Sequence, residues 1–147
     1  AFARVARYLS AHDWEIVLTG VASERALTAT LAGELDPAGL DLAGRTDLGA
    51  LAALVSRAAL VVCNDTGISH LAAGLGVPSV VLSTGDNPSR WAPRDRLKHR
   101  VLCRAGGVSV GEVLEAVAQQ LPQTPDGSRA AAWAPPAAKG RRTVQAL

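Results

Sequence analysis

Residues 60–83 read LVVCNDTGISHLAAGLGVPSVVLS, two unbroken apolar runs with room between them for one short helix. A strand with one wet face alternates apolar and polar side chains, so a run without alternation has to be covered on both faces. Two such runs joined through a helix make a βαβ unit, whose parallel strands need helices above and below the sheet. This segment alone commits the chain to a layered α/β core.

The remainder repeats the pattern. Residues 1–11 (AFARVARYLSA) set Phe2, Val5, Ala6 and Leu9 at helical spacing, and 14–19 (WEIVLT) is an apolar run closed by Gly20. Ser23, with Glu24 behind it, is expected to cap a helix reaching about Leu35, and 40–43 (LDLA) to be a brief strand. Thr46 or Asp47 is expected to cap the next helix, with Leu48, Leu51, Leu54, Val55 and Ala58 on its inward face. Strands are expected at 60–63, 80–83 and 99–103, and a short helix at 66–74. Ser109 and Glu112 form an S-x-x-E box that opens a helix turning Val113, Leu114, Val117 and Leu121 inward. The expected fold is a Rossmann-like, doubly wound parallel sheet spanning residues 1–121. From Pro122 the text changes to Pro, Ala and Arg without a strand-like run, and 122–147 is expected to be a disordered or loosely packed tail.

Composition narrows the function. With 48% apolar but only 3% aromatic residues, the core must be Ala, Val and Leu. A net charge of +2 with scattered arginines gives no nucleic-acid footprint. Cys63 and Cys103 lack ligand spacing, so the reading is two reduced thiols acting as small hydrophobes in a cytoplasmic protein, with no metal site. No apolar run approaches the roughly 18 residues of a membrane span. Arg4 and Arg7 interrupt any signal-peptide core. The chain holds no methionine and starts within a helical pattern, so a fragment, or a chain whose beginning lies elsewhere, is expected.

The chemistry gathers at Asn64-Asp65-Thr66-Gly67. In a doubly wound sheet, ligands sit beyond the carboxyl ends of strands, where helix N-termini point. The first amides of the next helix lack intrahelical partners, and the dipole favours negative charge there. Gly67 removes a Cβ from the approach of an anion, Thr66 adds a hydroxyl, and His70 lies one turn along on the same face. Asp65, Thr66, Gly67 and His70 are therefore candidates for a phosphate site, although Asp65 alone also reads as an ordinary N-cap. Thr19-Gly20 ends another strand, and Glu24 beside it can accept from ribose hydroxyls or simply favour a helix start. Thr84, Gly85, Arg90 and Trp91 either rim the same pocket or form a plain surface loop. No G-x-x-x-x-G-K-[ST] and no helix-opening G-x-G-x-x-G occurs, which removes the P-loop and the dinucleotide fingerprint. No cofactor is expected.

Residues 18–24, 42–62 (LAGRTDLGALAALVSRAALVV) and above all 64–82 (NDTGISHLAAGLGVPSVVL), followed by a D-x-P-x-R-W-x-P segment at 86–93, resemble glycosyltransferase family 9. These are heptosyltransferases that add heptose from a nucleotide sugar to the lipopolysaccharide core. The resemblance implies the C-terminal, donor-binding half of a GT-B fold and an inverting, metal-independent transfer. It implies that Asp65, Thr66, Gly67 and His70 hold the diphosphate and sugar, Glu24 the ribose, and that Thr46 lies near the adenine. It places the catalytic base and the acceptor site in an N-terminal domain before Ala1, with His70 as a leaving-group stabiliser. It implies an ADP-sugar donor, a glycan or lipid-linked acceptor, and a place at the inner face of the cytoplasmic membrane. Where the family has a Phe-Gly-Pro type turn, this chain has Ser83-Thr84-Gly85. A GT-B-like epimerase and a non-catalytic nucleotide-binding half-domain are the competing readings.

Overall fold

In the computed structural model, which describes residues 2–36, 39–83, 87–104, 106–121 and 142–146, the apolar runs become strands. These are β1 (Trp14–Leu18), β2 (Leu40–Asp41), β3 (Leu60–Asn64), β4 (Ser79–Ser83), β5 (His99–Cys103) and β6 (Arg142–Ala146). They lie in the order β2-β1-β6-β3-β4-β5, and every pairing is parallel. The helices are α1 (Phe2–Ser10), α2 (Arg25–Gly33), α3 (Leu48–Arg57), α4 (Gly67–Gly74) and α5 (Val110–Gln120).

The unbroken apolar text of the central strands has a direct explanation. Leu60 and Val62 point into a cluster shared with α1, α2 and α5, while Val61 and Cys63 point into a second cluster with α3 and α4. Both sets are fully buried, so neither face tolerates a polar residue. Connections travelling toward β2 or back to β6 use the first face (α2, α5), and those travelling toward β5 use the second (α3, α4). Opposite faces for opposite directions are what a uniform crossover hand requires. The direction of travel reverses between β1 and β3, and the ligand crevice of such sheets opens above that reversal.

The helix boundaries follow local chemistry. Asp47, not Thr46, caps α3, its carboxylate accepting from the Ala50 amide at 2.7 Å. Ser109 and Glu112 form the expected reciprocal box at the start of α5. Ser23 does not cap α2. The chain enters through a 3-10 turn at Ala22–Glu24, and the Glu24 carboxylate reaches back to the Val21 amide at 2.8 Å. Leu48 was expected inward, but as the first residue of α3 it is 73% exposed.

The expectation of a loose tail fails at its far end. Residues 122–141 and 147 lie outside the described residues, but Arg142–Ala146 form β6, paired on both sides in the middle of the sheet. Val144 is fully buried in the core. Only Val144 and Ala146 of this strand are apolar, so hydrophobic pattern could not reveal it. Backbone pairing explains it better, because β1 and β3 would otherwise each bury an unpaired row of N–H and C=O groups.

At the opposite end of the sheet from the crevice, buried His99 shares a 2.9 Å hydrogen bond with the Ser79 hydroxyl. Burial lowers the His99 pKa below its ordinary 6.5, against a smaller opposing pull from Asp95. The folded chain therefore holds the neutral ring, and unfolding lets it take a proton. Its contribution is complete above the ordinary value of 6.5 and is lost as pH falls from there through the folded value. Thermal unfolding followed from pH 7.5 to 5 should show a falling Tm, with a shallower fall in His99→Asn.

Candidate functional site

Above the reversal point lies a cleft of about 730 Å³, within the usual range for small-molecule sites. One wall is the β1 end with Thr19, Gly20 and Glu24; a second is the loop after β2 with Gly44, Thr46 and Asp47; the floor is the β3–α4 corner with Asn64, Thr66 and Gly67. Six of the eight sequence-derived candidates, Thr19, Gly20, Glu24, Thr46, Thr66 and Gly67, thus share one cavity. The other two, Asp65 and His70, are not among its lining residues.

The β3–α4 corner opens into this cleft. Thr66 occupies the N-cap position of α4 with extended backbone, yet its side chain makes no capping bond. The Ser69 amide and hydroxyl both turn back to the Thr66 carbonyl, at 2.9 and 2.7 Å. That leaves the amides of Gly67 and Ile68 at the helix start, where the dipole is positive. A Cβ added at Gly67 would have no atom within 4 Å, so the glycine is not demanded by packing. The space it leaves open is cleft.

Asp65 sits below this corner. It is half-buried, and its amide donates to the Leu82 carbonyl at 3.2 Å, continuing the sheet ladder. Burial first, and the Asp65 carboxylate second, push the Cys63 thiol up to about 12. Cys63 therefore stays a protonated core residue at neutral pH, which removes a Cys63–His70 nucleophile. His70 is exposed one turn along α4, its ring edge-on to Trp91 with centroids 6.5 Å apart. Trp91 packs on the α3–α4 cluster rather than lining the cleft, and Arg90 is exposed beside it. Thr84 and Gly85 lie outside the described residues.

Glu24 has a divided task. Its Oε2 accepts from the Val21 amide, and a Cβ on Gly20 would stand 2.6 Å from that same oxygen. Gly20 thus makes room for the carboxylate, which holds the 20–24 turn with one oxygen and lines the cleft. The sequence reading missed the apolar wall. Val21, Leu27 and Leu48 are 62%, 63% and 73% exposed, and all three line this cleft. Exposed aliphatic side chains converging on one crevice mark a surface that an apolar or planar ligand group covers. The available signal was Leu27, at the margin of the buried stripe of Thr28, Leu31 and Ala32 in α2; Leu48 shares its spacing with Leu51 and Val55 and gave none.

The family profile described as glycosyltransferase family 9 (heptosyltransferase) matches residues 1–107. The chain belongs to glycosyltransferase family 9. Over 61 residues it is 39% identical to the lipopolysaccharide core heptosyltransferase OpsX of Haemophilus influenzae, covering 42% of this chain and 18% of that protein. Its fold is similar to E. coli ADP-heptose lps heptosyltransferase II, with a TM-score of 0.72 and 26% identity over 82% of this chain and 40% of that one. A family 9 glycosyltransferase from Veillonella parvula shares the fold at a TM-score of 0.70 and 23% identity, covering 81% of this chain and 40% of that one. The all-parallel sheet between helices is the arrangement of these GT-B glycosyltransferases. This chain spans about two fifths of the solved relatives' length and less than a fifth of OpsX.

Proposed function

We propose that this chain is the donor-binding half of a glycosyltransferase that moves a sugar from a nucleotide diphosphate sugar, in the family's manner heptose from ADP-heptose, to a lipopolysaccharide or other cell-envelope glycan. The observation that carries the reading is the cleft itself. An uncapped helix start with an open Gly67, a cleft-lining carboxylate at Glu24 and an aliphatic wall at Val21, Leu27 and Leu48 meet in one cavity. Diphosphate, ribose and base ask for those three surfaces in turn.

In this reading an acceptor hydroxyl, relieved of its proton by a base in the N-terminal half, attacks the anomeric carbon. The bond to the bridging phosphate oxygen breaks, and the configuration inverts. The departing diphosphate carries the growing negative charge, and the Gly67 and Ile68 amides stand where that charge collects. A preorganised donor of this kind is worth about 3–4 kcal/mol in comparable sites, against about 0.3–2 for a helix dipole alone. His70 and Asp65 lie outside the cavity, so a contact from His70 is reserved for the outer phosphate and the sugar. No metal is assigned a part in the transfer. No helix among the described residues is long and apolar enough to cross a membrane. Action at the inner face of the cytoplasmic membrane is part of the proposal, supported by exposed Arg94, Arg96, Lys98 and Arg100 around an 88% exposed Leu97.

The ribose contact gives a sharp test. Gln at position 24 can still accept from the Val21 amide but loses the charge offered to ribose. A hydrogen bond to a charged group contributes about 1.5–3 kcal/mol, so wild type should prefer ADP over 2′-deoxy- or 3′-deoxy-ADP by roughly 10-fold or more. Glu24→Gln should erase most of that preference while keeping the fold. Equal affinity of the wild type for ribose and both deoxyribose forms would remove Glu24 from the site. The non-catalytic alternative differs in one respect: it predicts that the joined two-domain protein binds donor but transfers nothing.

A further inference from the structure

Arg25 is the first residue of α2 and does not line the cleft, yet it holds one of the cleft's walls. Its Nε donates to the Ala43 carbonyl at 3.0 Å, and its terminal nitrogen Nη2 to the Gly44 carbonyl at 3.2 Å. From the other side the Gly44 amide donates to the Gly20 carbonyl at 2.7 Å, and the Leu42 amide to the Leu18 carbonyl at 2.8 Å. Asp41 and Leu42 close the remaining turns, accepting from the amides of Ala43 and Arg45 at 3.0 Å each. The loop 42–45 is thereby stitched to the β1–α2 corner. Directly after it come Thr46, Asp47 and Leu48, which form the wall facing Gly20 and Glu24.

The fit is backbone against backbone. Gly44 has φ +63°, and a Cβ there would lie 2.7 Å from Ala22 Cα and 3.1 Å from Arg25 Nε. The planar guanidinium fork holds Nε and Nη2 in fixed geometry against two consecutive carbonyls, which an ammonium on a flexible stem matches less well. Ala43 is buried, so its carbonyl depends on that donor rather than on solvent.

We propose that Arg25 is a positioning residue for donor binding: it clamps the 43–44 peptide and so fixes the width of the cleft between Glu24 and Thr46. The proposal rests on the nucleotide-sugar reading for what the width is matched to, but the clamp itself does not.

Two measurements on the full 147-residue chain test it, both well below the Tm so that every variant is folded. The first is ligand-free amide exchange. Arg25→Ala should speed exchange at Gly44 and Arg45 by about tenfold or more while the amides of β3 and β4 keep wild-type protection. The second is titration with ADP, UDP and GDP. Arg25→Ala should weaken the preferred nucleotide by about tenfold, Arg25→Lys should recover part of the loss, and Thr46→Val should cost less in the Arg25→Ala background than alone by about threefold. A merely structural arginine would lower Tm and leave the Thr46 effect unchanged. Unaltered exchange at Gly44 overturns the clamp whatever the nucleotides do. Faster exchange with unaltered affinity overturns its positioning role. A wild type that binds none of the three nucleotides defeats the nucleotide-sugar reading, and the positioning role for donor binding with it, while the exchange result still decides whether the clamp exists.

Discussion

Gly67→Val should abolish useful donor binding without harming the fold. Nothing within 4 Å opposes a Cβ at this position, and its φ is not in the left-handed region, so the folded chain accepts a side chain there. Helix propensity even favours the change slightly, since glycine costs about 1 kcal/mol relative to alanine in a helix. The phosphate would meet the new side chain instead of the Gly67 amide. Losing a hydrogen bond to the charged phosphate costs about 1.5–3 kcal/mol, an affinity loss of roughly 10- to 100-fold, before any steric exclusion by the valine methyls. Gly67→Ala should fall between the two. The check pairs a nucleotide titration with thermal unfolding. A fall in Tm with affinity kept would mean that Gly67 serves the helix and not the ligand.

At Gly44, by contrast, stability and affinity are expected to fall together. Here φ is +63°, and the added Cβ would press on Ala22 backbone at 2.7 Å, which cannot swing aside. Gly44→Ala should cost about 1–3 kcal/mol from left-handed strain alone, with the Ala22 collision on top. At roughly 2–4 °C per kcal/mol for a domain of this size, the Tm should fall by several degrees at least. Nucleotide affinity should weaken as well, because the wall carrying Thr46 moves with the loop. A Gly44→Ala chain as stable as wild type would mean that the loop is not held against Ala22. A Tm kept in Gly67→Val and lost in Gly44→Ala would separate a glycine that serves the ligand from one that serves the backbone.

How much of this was legible depends on which force set each feature. Residues 60–83 could be read directly, because a strand buried on both faces has to be apolar at every position, and Leu60 to Cys63 are. The placing of Thr66 and Gly67 at a helix start facing the cleft was legible for a similar reason: they follow a strand end, where the topology puts helix N-termini. Glu24 was found, but its bond to the Val21 amide was not, since Ser23 offered a more familiar cap. Strand β6 was hidden because backbone pairing, and not side-chain pattern, holds it between β1 and β3. The apolar wall was hidden by the rule that made the core readable. Counting apolar residues at helical spacing assigns them all inward, and Leu48 at the start of α3 is turned to the cleft instead. His70 was grouped with the cleft by its distance along the helix, but four residues past Thr66 the exposed ring stands beside Trp91.

The central claim is that the cleft between β1 and β3 holds a nucleoside diphosphate. Calorimetric titration of the folded chain with ADP, UDP and GDP, repeated on Gly67→Val, tests it most directly. Saturable binding of one nucleotide is expected, ADP ahead of the other two, with its loss in the variant. A folded wild-type chain that binds none of them, or a Gly67→Val chain that binds as well as wild type, would contradict it.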